Sequence, residues 1–248
     1  MRKIAIPIIL LIILLSVSLN AQNPSAMEII EKVDNNMSAL SRVFTSKMII
    51  HNPRNTRTVE SRSWSMGENK SFTEYLSPPR EQGTKMLKLD NLLWIFSPST
   101  DRIIQISGHM LRQSVMGSDL SYEDMMEDPH LLNHYTGKVD GEEKTGDRNC
   151  WVVTLTANST GVAYQTQKIW VDKDRFIPLR KELYAKSGVL LKRMELSDVL
   201  RIRGRWFPKK ILFKDVLKEG EGTEFQIMDI EFNVKIPDYI FSKASLKK

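Results

Sequence analysis

The feature that most constrains the fold is a long series of short segments in which apolar and polar residues alternate. After Ser41 such segments are predicted at 44–50, 57–66, 72–76, 84–89, 92–97 and 102–106, and again at 150–157, 165–171, 177–185, 189–197, 206–217 and 223–234. A period of two is typical of strands with one buried face, and strand starts about eight to fourteen residues apart are typical of antiparallel structure. The sequence therefore predicts a mainly β fold.

Two segments break this pattern and are predicted to be helical. Residues 24–40 carry apolar side chains at three- and four-residue steps, which predicts one amphipathic helix that must lie against another element. The methionine-rich stretch 108–134 predicts short helices packed over one mouth or face of the sheet. Within it, Ser121 and Asp124 resemble a capping box.

The strand count has a geometric consequence. About eleven or twelve antiparallel strands in one sheet will curl, because each is twisted by about 20–25° from its neighbour. One helix and a short helical segment are too little to fill the concave side, so the strands either close on themselves or leave an apolar chamber. Such a chamber would suit acyl chains, because methionine adapts its shape. The residues predicted to line it are Phe44, Met48, Ile50, Trp64, Met66, Trp94 and Phe96. At least three of the five tryptophans are expected in the core instead.

The N-terminus predicts export. A positive start at Met1-Arg2-Lys3 precedes an apolar run from Ile4 to Leu15 and a small-residue end at Ala21, the pattern of a cleavable signal peptide at 1–21. The run is shorter than the roughly 20 apolar residues of a membrane-spanning helix, and an uncleaved anchor is the alternative reading. No linker divides residues 22–248, which are predicted to form a single domain.

Charge and motif content argue against several function classes. The chain has 36 Lys+Arg and 30 Asp+Glu, and its modest excess of +6 is dispersed, which is untypical of a nucleic-acid partner. The sequence lacks a Gly-x-Ser-x-Gly elbow and a Gly-rich phosphate loop, so we predict no enzyme, no catalytic residue and no cofactor. His130 and His134 stand four apart, but Leu131 occupies the place of a zinc protease's glutamate, which favours solvated histidines over a metal site. The single cysteine, Cys150, is expected to be buried and apolar in character.

The most specific part of the sequence lies between residues 78 and 124. It contains Pro78-Pro79-Arg80, Gly83-Thr84, Leu87, Leu93-Trp94, Pro98, Arg102-Ile103-Ile104, Gln113 and the run from Met116 to Asp124. In this succession the chain resembles the LolA-like family, whose members are commonly labelled outer-membrane lipoprotein-sorting proteins. It is most similar to the broad branch often found beside membrane-embedded exporters. The resemblance covers nearly all of the chain after the signal peptide.

The resemblance implies a curled antiparallel sheet forming a half-open barrel, with an N-terminal helix and a short helical lid. It implies a periplasmic carrier whose apolar cavity holds lipid or lipoprotein acyl chains on their way to the outer membrane. The implied partners are a lipid or lipidated protein cargo and an inner-membrane exporter, such as one of the RND type. We expect a monomer. The residues expected in the lid and its gating loop are Met110, Met116, Gly117, Asp119, Tyr122 and Met125.

Alternatives to the carrier remain open on the sequence. In the family's chaperone an arginine inside the cavity bonds to the lid; none can be matched here, Arg62 being the nearest candidate. Residues 117–124 could gate cargo or simply cap a helix, and Asp119, Ser121 and Asp124 favour capping. The second hypothesis is an envelope structural or adhesive protein with a filled interior, and an enzyme acting on lipids is the third.

Overall fold

The computed structural model describes residues 23–158 and 161–248. The predicted signal peptide at 1–21 therefore lies outside the described residues. The helices and strands within them are α1 (Ala26–Met37), β1 (Ser41–His51), β2 (Thr56–Met66), β3 (Lys70–Ser77), β4 (Lys85–Leu89), β5 (Leu92–Ser97), β6 (Arg102–Ile106), α2 (Tyr122–Met126), β7 (Tyr135–Thr145), β8 (Arg148–Ala157), β9 (Thr166–Asp172), β10 (Pro178–Tyr184), β11 (Leu190–Ile202), β12 (Arg205–Asp215) and β13 (Gly222–Phe232). None of the described helices has the length and apolar content needed to cross a membrane.

All thirteen described strands belong to one antiparallel sheet in the order β6-β5-β4-β3-β2-β1-β13-β12-β11-β10-β9-β8-β7. Every pair of neighbours is consecutive along the chain except β1 and β13, which join the two halves of the sheet. The edge strands β6 and β7 do not pair with each other, so the sheet remains open. The predicted mainly β, curled, half-open architecture is confirmed.

One strand was missing from the sequence prediction. Strand β7 contains only two large apolar residues, Tyr135 and Val139, together with two glycines and several acids, so its alternation is weak. Gly137 is required there because a β-carbon at this position would lie 2.8 Å from the side chain of Ile30. The helix α1 therefore approaches the edge of the sheet closely, and β7 is established by its pairing with β8 and not by its own pattern.

The two faces of the sheet are covered by different parts of the chain. We call the face that carries Phe44 and Met48 of β1 the inner face and the opposite one the outer face. On the inner face α1 packs on β7–β9 through Ile29, Ile30 and Val33. On the outer face, a C-terminal segment at 236–247 with two short 3-10 turns covers β3–β5.

Residues 108–134 form the lid segment, which lies over the inner face. As predicted it contains short helices, namely α2 and three 3-10 turns. The predicted capping box is confirmed: the Asp124 N–H donates to Ser121 Oγ at 3.2 Å, and the Ser121 N–H donates to the Asp124 carboxylate at 2.6 Å. Met110, Tyr122 and other lid residues pack on the inner side of β4–β6, around Met86 and Leu93.

Candidate functional site

Two adjoining cavities lie between the lid segment and the inner face. The first, the apolar chamber, has a volume of about 310 Å³ and lies over β9–β13. The second, the hydroxyl pocket, has a volume of about 280 Å³ and lies over β1–β3. Both are bordered by Leu120, Asp124 and Met125 of the lid and by Phe225 of β13. The four shared residues place the two cavities side by side beneath α2.

The wall of the apolar chamber follows from strand register. Met194 of β11 pairs with Phe213 of β12, and Ile211 of β12 pairs with Phe225 of β13. Side chains at directly opposed positions stand on the same face, so these four form a continuous apolar layer. Leu183 extends it onto β10. This half of the sheet therefore presents an apolar surface that the rest of the protein does not fully cover.

Two cations, Lys181 and Lys192, line the apolar chamber. Lys181 of β10 lines the chamber, and burial lowers the pKa of its amine, an effect that the charges of Asp34 and Glu127 oppose. Burial raises the pKa of Glu127, whose carboxylate accepts the N–H of Ala163 at 2.7 Å. Lys181 was not predicted, because in sequence it is one of several charges in an alternating strand.

The seven residues predicted to line a cavity are divided between the two faces. Phe44 and Met48 border the hydroxyl pocket, and Ile50 shares their face but is fully buried against the lid and Val59. The other four, Trp64, Met66, Trp94 and Phe96, belong to the outer-face cluster beneath the C-terminal segment, although Trp64 also borders the hydroxyl pocket.

Register is the physical reason for this correction. Trp64 pairs with Val43, the neighbour of Phe44, and next with Phe72 on β3, whose ring centroid is 5.8 Å away. Adjacent residues in a strand point to opposite faces. Trp64 and its neighbours on that face therefore pack against Ile236, Phe241 and Leu246.

Of the predicted lid residues, Met125 lines both cavities and Met116 packs against the cluster of Met48 and Ile50. Met110 and Tyr122 instead fix the lid to β4–β6. Gly117 has φ +73°, a left-handed conformation that glycine adopts without strain and that turns the chain toward Asp119.

Asp119 fastens the lid to the sheet. Its carboxylate accepts the hydroxyl of Thr223 at 2.8 Å and the N–H of Asp215 at 3.0 Å, and its own N–H donates to Thr223 Oγ1 at 3.0 Å. Asp119 and Thr223 are both buried. The predicted gating residue is therefore a buried polar tie between the lid and strands β12 and β13.

The arginine that bonds to the lid is Arg57. Its guanidinium donates to the carbonyl of Met116 and forms an ion pair with Glu81 at 3.1 Å. The candidate from the sequence, Arg62, is exposed on the outer face, where it lies 5.1 Å from the ring of Trp64. Register was again decisive, because Arg57 pairs with Ile50 and so shares the inner face.

A third tie holds α2. The carboxylate of Asp124 accepts hydrogen bonds from the amine of Lys192 and the hydroxyl of Tyr164. Burial, assisted by the charge of Asp124, raises the pKa of Tyr164, so its hydroxyl remains a donor at physiological pH. The helix is thus pinned over the boundary between the two cavities.

The sequence predicted solvated histidines. In the structure, His130 and His134 are instead half-buried around Asp128. His134 Nε2 lies 3.0 Å from the Asp128 carboxylate, and His130 contacts Glu68. Potential ligand atoms of Glu68, Asp128 and His130 lie within 4.8 Å of one another. These side chains therefore contact one another directly around Asp128.

Comparison with known proteins identifies a family and similar folds for the chain. A family model described only as that of an uncharacterized protein matches residues 67–248. No curated protein matches the sequence significantly. A LolA superfamily protein from Nitrosomonas europaea is 26% identical with a TM-score of 0.75, over 90% of this chain and 99% of that one.

Two further structures share the fold. A domain named for outer membrane lipoprotein sorting, from Vibrio parahaemolyticus, is 23% identical with a TM-score of 0.78, over 90% of this chain and 98% of that one. A DUF1329 family protein from Desulfovibrio piger is 23% identical with a TM-score of 0.80, over 88% of this chain and 96% of that one. The chain belongs to the family matched over residues 67–248, and its fold is that of the LolA superfamily protein.

Proposed function

We propose that this protein is a periplasmic carrier that binds the acyl chains of a lipid or lipidated protein in the apolar chamber and passes them toward the outer membrane. The observation that carries the proposal is the chamber itself, about 310 Å³ of space against an apolar cross-strand wall beneath a lid. Cavities of this order and larger are typical of small-molecule sites. The periplasmic location depends on the predicted signal peptide and on the resemblance to the LolA-like family.

Binding in this chamber needs no covalent chemistry. Each buried methylene of a cargo chain would contribute about 0.8 kcal/mol, so affinity scales with the length of chain inserted. Release follows when a receiver buries the same chain better. An inner-membrane exporter remains the proposed donor. A structural or adhesive protein with a filled interior is disfavoured, because the two cavities would then be occupied by the protein's own side chains.

The test is lipid extraction and probe binding with a matched pair of variants. The full chain, exported to a bacterial periplasm, is purified, extracted for lipids and analysed by mass spectrometry, then titrated with a dansyl-labelled undecanoic acid. Met194→Glu places a charge on the chamber wall, whereas Met228→Glu places one at an exposed bulge of β13. We expect the first to abolish probe binding and the second to leave it unchanged. A lipid-free preparation that binds no probe would refute the proposal.

A further inference from the structure

The hydroxyl pocket has a composition unlike that of the apolar chamber. Strand register places Arg42, Ser65 and Ser71 in one row across β1, β2 and β3. The next row contains Phe44, Ser63 and Thr73. These residues line a single cavity of about 280 Å³. Serine-rich rows are unexpected on the buried face of a sheet, because each hydroxyl removed from water needs a partner.

Only part of this polar surface is satisfied by the protein. Ser63 and Thr73 hydrogen-bond to each other at 2.9 Å, and Ser46 and Ser61 do so at 3.0 Å. The hydroxyl of Ser65, by contrast, is buried and has no hydrogen-bond partner among the described residues. A donor is therefore left over in the row that contains Arg42.

Arg42 is a half-buried cation with too few acceptors. Within the described residues its one hydrogen bond runs from Nη1 to the carbonyl of Met37 at 3.3 Å, and its buried Nε has no partner. Burial and the neighbouring positive charge of Arg205 both lower the pKa of Arg42, and no carboxylate offsets them. A guanidinium with free donors, next to an unpartnered hydroxyl, is arranged to receive an anion.

The acid that borders the pocket does not oppose this reading. Asp124 already accepts hydrogen bonds from Lys192, Tyr164 and Ser121, so its charge is balanced by the amine of Lys192. The pocket also adjoins the apolar chamber beneath Leu120 and Met125. One molecule with a charged head and an acyl chain could therefore occupy both cavities.

We propose that the hydroxyl pocket binds the phosphoryl group of an anionic lipid, through Arg42 and Ser65, while the lipid's acyl chain lies in the apolar chamber. This inference rests on the proposed carrier function and names its class of cargo. A phosphoryl group is favoured because its several oxygens can accept from the guanidinium and the hydroxyl at once. Ser71, in the same row, offers a further hydroxyl.

The experiment measures dissociation constants by calorimetry for three probes: myristoyl lysophosphatidic acid, monomyristoylglycerol and inorganic phosphate. The first two share the acyl chain and differ in the phosphate. We expect the wild-type protein to bind the phosphorylated lipid about ten- to a hundredfold more tightly than the neutral one, the range for hydrogen bonds to charged groups. Inorganic phosphate should bind far more weakly than either lipid.

The variants separate the headgroup contact from general damage. Arg42→Met should remove the preference while leaving binding of monomyristoylglycerol unchanged, and Ser65→Ala should reduce the preference several-fold. Arg62→Met, on the adjacent strand but on the outer face, is the control and should behave as wild type. If Arg42→Met does not fold, as judged by circular dichroism, Arg42→Lys, which keeps the charge but loses the planar fork, together with Ser65→Ala decides the question.

The outcomes are distinguishable. Equal binding of the two lipids by the wild-type protein would overturn the headgroup site and leave the carrier function standing. Binding of neither lipid would overturn the carrier function, and this inference with it. Inorganic phosphate that binds as tightly as the phosphorylated lipid, without competition from monomyristoylglycerol, would make the free ion the ligand and overturn the lipid assignment.

Discussion

The helix α1 and the lid segment both cover the inner face of the sheet, but different forces hold them there. Ile29, Ile30 and Val33 of α1 are at most 1% exposed and pack on β7–β9. The lid packs Met110 and Tyr122 on β4–β6, but over the two cavities it is tied to the sheet at Asp119, Asp124 and the carbonyl of Met116 by hydrogen bonds and ion pairs. Beneath α1 the face is filled, whereas beneath the lid the two cavities remain.

This difference indicates how the inner face of one sheet can be filled beneath α1 and still hold cavities beneath the lid. Lifting α1 would expose its whole apolar stripe to water at about 25 cal/mol per Å². When the lid lifts, its polar contacts are replaced by hydrogen bonds with water. Each such contact therefore contributes only about 0.5–1.5 kcal/mol to stability, or somewhat more when one partner is charged. We infer that the lid is the part that opens. Its far end is held to α1, because the Asp34 carboxylate accepts the N–H groups of Leu131 and Leu132 at 3.1 and 3.0 Å.

The largest expected effect comes from α1. Ile30→Ala removes a fully buried side chain that contacts β7 and should reduce the free energy of unfolding by about 2–5 kcal/mol. Met27→Ala, on the exposed side of the same helix, is the control and should cost less than about 1 kcal/mol. Urea unfolding followed by circular dichroism measures both. Equal effects for the two variants would contradict the packed-helix account.

Sequence periodicity predicted most of this comparison but not its details. The alternation of apolar residues identified twelve of the thirteen described strands, and the Ser121–Asp124 box identified the start of α2. Which face a residue occupies was harder to infer. Alternation along β13 predicts that Met228 shares a face with Ile230 and Phe232, yet a bulge in β13 opposite Thr45 and Ser46 leaves Met228 47% exposed.

Long-range pairing accounts for the remaining errors. Met66 was assigned to the cavity and Arg57 was overlooked because nothing local fixes the register of β2 against β1. The alternation within β2 says only that Arg57 and Met66 point to opposite faces. Pairing with Ile50 and Ser41 then decides which face is the inner one. The C-terminal segment that packs on the outer face carries no periodic signal and was not predicted.

An intermediate effect is expected at the lid. Asp119→Ala leaves the Asp215 N–H and the Thr223 hydroxyl without their acceptor and should cost about 1–3 kcal/mol. Hydrogen exchange should speed up across residues 108–126 while the amides of α1 keep their protection. The Asp119→Asn variant, which keeps an acceptor oxygen, should lie between wild type and alanine. Uniform loss of protection over α1 and the lid would show that the two regions are one cooperative unit.

The smallest expected effect is a pH dependence of opposite sign at Glu127 in the lid and at Asp172, the last residue of β9. Burial raises the pKa of Glu127 in the lid, so its ionisation opposes folding, and the stability it withholds returns as pH falls from neutral toward its ordinary value of about 4.3. Burial would also raise the pKa of Asp172 beside β8, but hydrogen bonds from Arg148 at 2.8 and 2.9 Å hold it below its ordinary range. The stability from Asp172 is present above about pH 4 and is lost as pH falls through the lowered pKa.

Two neutral variants isolate these contributions in melting temperatures measured from pH 7 to pH 3. The difference between wild type and Glu127→Gln should change between pH 7 and about 4.3, with wild type gaining relative stability as the solution becomes acidic. The difference between wild type and Asp172→Asn should stay constant down to about pH 4 and shrink only below it, because wild type then loses the charge that Arg148 pairs with. Subtracting each variant from wild type cancels the raised pKa of Asp34, which acts in the same direction as Glu127. A Glu127→Gln difference that is flat with pH would mean that the lid already admits water to this carboxylate, and the lid would then be open in the cargo-free protein.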